Sequence, residues 1–258
     1  MTLGIAHWAN ELSGDQLSLR ACKALQLAQA HTLSLIQANE AALDSGDASG
    51  LAAGQALFTH FESLHALAAY FAPGHPFWSD YRRLLREQVA SAAWEVRGRK
   101  GPLRPFDARL IAALGRKAAL LRWPASAVGH LASGAREAAR LDRFFARFQS
   151  VLQLFDDLSD VEADQKTRQI NAAVSAGRMQ GKEPLEIYPA ALRGALRVGG
   201  YLRVELARLR RAAPRGSGFA GLCALLETRI DPAVDSVRRT CRQQLFKATF
   251  GQLGRRAG

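Results

Sequence analysis

Asp156, Asp157, Asp160 and Asp164 crowd carboxylates onto one short stretch of the chain. On a helix, the first three project within one turn onto nearly one face, and Asp164 lies a turn further along. Gln149 and Gln153 stand above them on that face. Like charges at this spacing repel and weaken the helix, so the cluster calls for a positive counterpart. Mg²⁺ meets that need, because it takes one or two carboxylates and fills its other positions with water and phosphate oxygens. The alternative is a solvated acidic turn paired with the chain's many arginines. The setting separates the two: the aspartates end an apolar stretch carrying Phe144, Phe145, Phe148 and Phe155. Acid at the end of such a helix points to a metal–phosphate site at the mouth of an apolar pocket.

The elements that must position these residues read as helices nearly throughout. Ala, Leu, Arg, Gln and Glu dominate, and alternating Val, Ile and Thr runs are almost absent. The spacing predicts helices over 17–40, 51–71, 79–97, 107–121, 125–134, 136–163, 188–211 and 218–250, with Ser79 placed as a cap. Breaks fall at Gly46–Gly50, at Pro73-Gly74-His75-Pro76, at the basic loop Gly98–Pro105 and at Trp123-Pro124. No linker separates domains. The expectation is one all-α domain over residues 1–258 with a short basic tail at 251–258.

Composition narrows the function. With 258 residues, 48% of them hydrophobic and 22% charged, the chain can bury a core and is not a disordered or low-complexity polypeptide. No apolar run reaches the roughly 18–20 residues of a membrane span. Residues 1–20 carry Glu11 and Asp15 and lack the pattern of a secretory signal, so a cytoplasmic protein is expected. The 3 cysteines (Cys22, Cys223 and Cys241) are too scattered for a disulfide framework or a zinc knot. The formal charge of +12 favours anionic partners. A nucleic acid is the weakest of these, because no helix-turn-helix or basic–aromatic pattern accompanies the charge.

Three segments then carry a family resemblance. Residues 148–164 (FQSVLQLFDDLSDVEAD) resemble the second aspartate-rich motif of the trans-isoprenyl diphosphate synthases, F-Q-x-x-D-D-x-x-D-x-x-G-D. Gln153, Asp156, Asp157, Asp160 and Asp164 fall on matching positions, while Leu152 replaces a Phe and Ala163 a Gly. Residues 114–121 (LGRKAALL) followed by Gly129-His130-Leu131-Ala132 resemble the K-T-x-x-L … G-A-x-x-A segment, and 31–36 (HTLSLI) resemble the run before the first aspartate motif. The resemblance implies a class I terpenoid synthase-like bundle of helices around a deep apolar cavity. It implies Mg²⁺ held by Asp156, Asp157 and Asp160, with Asp164 and Gln153 in support. Lys117, with Arg116 beside it, would bind the diphosphate of an allylic prenyl substrate. The reaction would be chain elongation or cyclisation, carried out by a homodimer or by a heteromer with an active synthase.

The pattern also departs from the family. Where the first motif should read H-D-D-x-x-D, the chain has Gln37-Ala38-Asn39-Glu40-Ala41-Ala42-Leu43-Asp44. Glu40 and Asp44 are spaced to rebuild a ligand pair one turn on, or else to be a solvated helix residue and a turn residue; Asp47 reads as turn. Gln88 matches a G-Q-x-x-D segment whose aspartate is Ser91, and Asp80, Glu87 and Glu95 form either a substitute acidic face or a polar stripe paired with Arg83 and Arg86. Lys166 and Arg168 follow Asp164 without the family's Gly-Lys pair, and Asn171–Ser175 does not restore a cyclase-type metal motif. The histidines, and Trp78, Trp94 and Trp123, read as ordinary core or surface residues. With one acidic wall eroded, the alternative function is a catalytically weak or inactive prenyl-diphosphate-binding subunit.

Overall fold

The computed structural model describes residues 4–45, 50–99, 101–167, 169–179 and 183–256, with the side chains of 39–45, 50–53, 56 and 250–256 excepted. Every regular element among them is helical: α1 (Ile5–Leu12), α2 (Leu19–Ser45), α3 (Gly50–Leu67), α4 (Pro76–Gly98), α5 (Ala108–Gly115), a 3₁₀ turn (Arg116–Arg122), α6 (Trp123–Ala132), α7 (Ala135–Ser159), α8 (Val161–Thr167), α9 (Ala172–Gly177), α10 (Pro184–Ala212) and α11 (Gly218–Arg256). Among the described residues, no helix is long and apolar enough to cross a membrane. The chain falls into two compact units. The first comprises Met1–Val89, Ala118–Ala146 and Ala213–Phe219, and the second comprises Ala90–Lys117, Arg147–Ala212 and Ala220–Gly258.

An aromatic cluster forms the core of the first unit. Phe71, Phe77 and Trp123 are fully buried, and Phe71 stacks on Phe77 with ring centroids 4.0 Å apart. Trp123 donates its indole N–H to Thr32 Oγ1 at 3.1 Å, which satisfies the polar end of an otherwise apolar side chain. Helix α4 starts at Pro76, earlier than Ser79, because proline suits the first helical position and His75 Nδ1 accepts the Phe77 N–H at 3.2 Å. A partly buried charge ladder runs through the same unit. Arg122, 5% exposed, meets Glu87 at 2.5 Å and Asp142 at 3.2 Å, while Arg83 joins Glu87 at 2.8 Å and Asp142 at 2.9 Å. Asp80 completes it, accepting from Ser126 at 3.0 Å and facing His130 Nε2 at 3.0 Å.

The second unit holds the aspartate turn. The spacing predicts an unbroken helix over 136–163, but α7 ends at Ser159 and α8 starts at Val161. The backbone still links Asp160 N–H to Asp156 O at 3.1 Å and Asp164 N–H to Asp160 O at 2.8 Å. Asp156, Asp160 and Asp164 therefore remain one turn apart across the break. Helix α9 is short, and its place is set by α10: a Cβ on Gly194 would lie 2.0 Å from Ala173 O, and one on Gly177 2.1 Å from Ala190 O. Only glycine lets the two backbones approach this closely. Upstream, the reading of one helix over 107–121 also breaks. Asp107 caps α5 by accepting the Leu110 N–H at 2.9 Å, and the chain then tightens into the 3₁₀ turn that starts at Arg116.

Candidate functional site

Asp157, near the end of α7, is 2% exposed and turns inward. Its Oδ2 accepts the Ala172 N–H at 2.6 Å, and its Oδ1 accepts from Gln153 Nε2 at 2.9 Å. Ala172 is the first residue of α9, so the carboxylate takes an amide group that no helical carbonyl reaches. Asn171 caps the same helix, its Oδ1 accepting the N–H groups of Ala173 at 2.8 Å and Val174 at 3.1 Å. Its Nδ2 donates to Asp157 O at 2.6 Å and to Asp164 Oδ2 at 2.8 Å. One side chain thereby ties α7, α8 and α9 together.

Lys117 stands at the centre of the charge balance. Its Nζ lies 2.9 Å from Glu95 Oε1. Burial alone would lower its pKa, but Glu95 first, then Asp157 and Asp164, raise it above the usual lysine value, so it stays an ammonium ion. The carboxyls are raised as well, which in their case disfavours the charged form. Desolvation pushes Asp157 up to about 7, against the stabilising contacts from Gln153, Ala172 and Lys117. Asp156 is raised by desolvation and then by the charge of Asp160, and Asp164 by desolvation and then by Asp160 and Asp156. One lysine leaves this group of acids under-compensated.

The segments that spacing and resemblance singled out thus converge in part. Lys117, Gln153, Asp156, Asp157 and Asp164 share one electrostatic neighbourhood, with Asp156 and Asp160 exposed to solvent and Gln153 also 3.3 Å from Asp156 Oδ2. Arg116 is exposed at the start of the 3₁₀ turn, and Gln149 is buried. Glu95 is drawn in as the partner of Lys117, whereas Asp80 and Glu87 belong to the charge ladder of the first unit, with Arg83 as the expected partner. Arg86 donates instead to Arg82 O. Ser91 is buried, with its hydroxyl lacking a partner among the described residues. Glu40 and Asp44 fall within α2, but their side chains lie outside the described residues, as do Asp47 and Arg168 entirely.

Among the described residues, no group of three or more His, Cys, Asp or Glu side chains is placed to hold a metal ion. With Asp157 taken inward and Asp164 held by Asn171, the open carboxylates are Asp156 and Asp160. A pair of mutually repelling carboxylates one turn apart suits Mg²⁺, which needs only one or two such ligands beside phosphate oxygens. The cavity next to this turn also differs from the expected arrangement. It is lined by Leu158, Val161 and Glu162, which lie between the aspartates, and by Gln165 just after them, and none of the four aspartates borders it.

Sequence reasoning missed Asn171 and the Glu95 partnership. The signal for Asn171 was present, since an asparagine directly before an Ala-rich run is a strong N-cap. Nothing in the local pattern of Glu95 distinguishes it from the rest of its polar stripe. No protein-family model, curated protein or solved structure matches this chain.

Proposed function

We propose that this chain is a cytoplasmic class I isoprenoid synthase-like protein that binds the diphosphate group of an allylic prenyl substrate with Mg²⁺. The observation that carries the reading is the electrostatic coupling of Lys117 to Asp156, Asp157 and Asp164. These residues come from two separate stretches that resemble the trans-isoprenyl diphosphate synthases, and they share one charged neighbourhood. Mg²⁺, when bound, supplies positive charge that stabilises a departing diphosphate. Asp156 and Asp160 would hold it. Lys117 donates charge-assisted hydrogen bonds to diphosphate oxygens as its contact with Glu95 loosens. Asp157, Gln153 and Asn171 act behind them by fixing the turn. In this reading the helices form a terpenoid synthase-like bundle, and the active form is a homodimer.

A second reading has its own support. Asp157 is spent on Ala172 and Gln153, which leaves fewer open carboxylates than the D-D-x-x-D motif offers. Fewer metal ions then oppose the charge that develops as diphosphate leaves. On this reading the chain is a binding subunit of a heteromeric synthase.

The test is incubation with Mg²⁺ and geranyl, farnesyl or geranylgeranyl diphosphate, with and without isopentenyl diphosphate. Diphosphate release that disappears in Asp156→Ala/Asp160→Ala supports the enzyme. Binding without release supports the subunit. The absence of both, with a folded protein, overturns the two readings together.

A further inference from the structure

The cavity beside the aspartate turn has a chemistry of its own. It encloses about 240 Å³ within the second unit, between the end of α7, α8, the start of α10 and α11. Its apolar surface comes from Leu158, Val161, Ile187 and Val237, of which Leu158, Val161 and Val237 are buried. Besides Ser159, whose hydroxyl donates to Phe155 O at 3.2 Å, three hydroxyl side chains line it: Tyr188, Ser236 and Thr240. None of these three hydroxyls is engaged by another described residue. That is unusual for a helical threonine in this protein, since Thr59, Thr167 and Thr249 each donate to the carbonyl one turn back. Burial and the nearby charge of Glu162 raise the Tyr188 pKa, so the phenol is neutral and able to donate.

Charge decides what the cavity takes. No arginine lines it, and its one lysine, Lys166, is held by Glu162 at 2.8 Å. The lining therefore presents apolar surface and neutral hydroxyls around a self-compensated ion pair, and it offers nothing to neutralise an anion. We infer that the cavity is a binding site for a small neutral apolar molecule bearing one hydroxyl group, separate from the aspartate cluster. An apolar cavity of about 150 Å³ accepts benzene, so this volume accommodates a molecule of roughly eight to ten carbons. The hydroxyl of the ligand exchanges hydrogen bonds with Tyr188 and Thr240, and its carbon chain covers Leu158, Val161 and Val237. Cys241, whose buried thiol lines the same cavity, reports on occupancy.

The experiment measures N-ethylmaleimide labelling of each cysteine by peptide mass spectrometry, with 1-octanol and octanoate as probes of one chain length. At ten times its dissociation constant, 1-octanol slows labelling of Cys241 by about tenfold and leaves Cys22 and Cys223 unchanged, because only the free cavity reacts. Octanoate slows it far less. Val237→Phe, which fills the floor, abolishes the protection. Thr240→Trp at the part-exposed rim does the same, should the buried change prevent folding. Asp156→Ala/Asp160→Ala leaves the protection intact, so this result is independent of prenyl diphosphate binding. Absence of protection, equal slowing at all the cysteines, equal protection by octanoate, or protection that survives both cavity variants overturns the assignment.

Discussion

Lys117 Nζ and Glu95 Oε1 lie 2.9 Å apart, and both side chains are largely buried. Glu95 is therefore the counter-ion that keeps Lys117 charged before any anionic ligand arrives. Removing it has two opposed effects. Glu95→Gln leaves a buried ammonium less compensated and destabilises the fold by about 1–3 kcal/mol, measured by urea unfolding. The same variant leaves Lys117 more available, so the Kd for inorganic diphosphate falls. Weaker diphosphate binding in Glu95→Gln, with the fold intact, would remove Lys117 from the binding role.

Asp157 carries a pH dependence whose direction is set by burial. Its folded pKa of about 7 exceeds the ordinary carboxyl value, so the native state holds a proton that the unfolded chain releases. No penalty applies below about pH 4, where both states are protonated. Stability then falls as the pH rises from about 4 to about 7, and the loss is complete above that. Asp80 and Glu137, whose carboxyls are lowered, slope in the opposite sense, so the comparison is between the wild type and Asp157→Asn. The asparagine keeps an acceptor for the Ala172 N–H, and Gln153 can turn its carbonyl toward the new amide. The variant should show a flatter stability–pH curve and gain about 1–2 kcal/mol at pH 8, read from denaturant midpoints. An unchanged slope would mean that Asp157 is ionised throughout.

Part of this site was legible in the residues themselves. The i, i+4 spacing of Asp156, Asp160 and Asp164 survives in the structure because backbone hydrogen bonds continue across the break at Asp160. The all-helical class followed from composition and period. The break itself carried no signal, since neither Gly nor Pro stands between Ser159 and Val161. The inward turn of Asp157 was also hidden. It depends on the amide of Ala172, placed by a helix too short to show a period and held by glycines that meet α10. Lys117 emerged by resemblance, but its partner Glu95 is brought in by folding, and no local pattern encodes a pairing between residues that far apart.

Asn171 bonds to α7, α8 and its own helix, so its loss should exceed that of an ordinary cap. Asn171→Ala is expected to cost about 2–4 kcal/mol: roughly 1 for the cap and the rest for the buried Asp157 carbonyl and the Asp164 carboxylate left without a donor. Asn171→Asp keeps the cap but brings a further negative charge toward Asp164. It should be the less stable of the two above neutral pH and recover as the solution is acidified. Thermal melts of both variants across pH separate capping from charge. Asn171→Asp matching the wild type at all pH values, with Asn171→Ala losing only about 1 kcal/mol, would show that the side chain acts through the cap alone.

Gly194 tests whether the approach of α9 to α10 holds the site. In an unconstrained helix, Gly→Ala stabilises by about 0.5–1 kcal/mol. Here the new methyl would fall 2.0 Å from Ala173 O, a backbone atom that cannot yield without moving α9. Gly194→Ala should therefore reverse the sign and destabilise by about 1–3 kcal/mol. The displacement would carry Asn171 and Ala172 away from Asp157, and that carboxyl would lose its amide donor. Nuclear magnetic resonance of the Asp157 carboxyl would then show its pKa rising further, while Gly200→Ala, whose Cβ meets no neighbouring atom within 4 Å, would leave it in place. A Gly194→Ala protein more stable than the wild type would mean that the two helices separate without cost and do not position the aspartate turn.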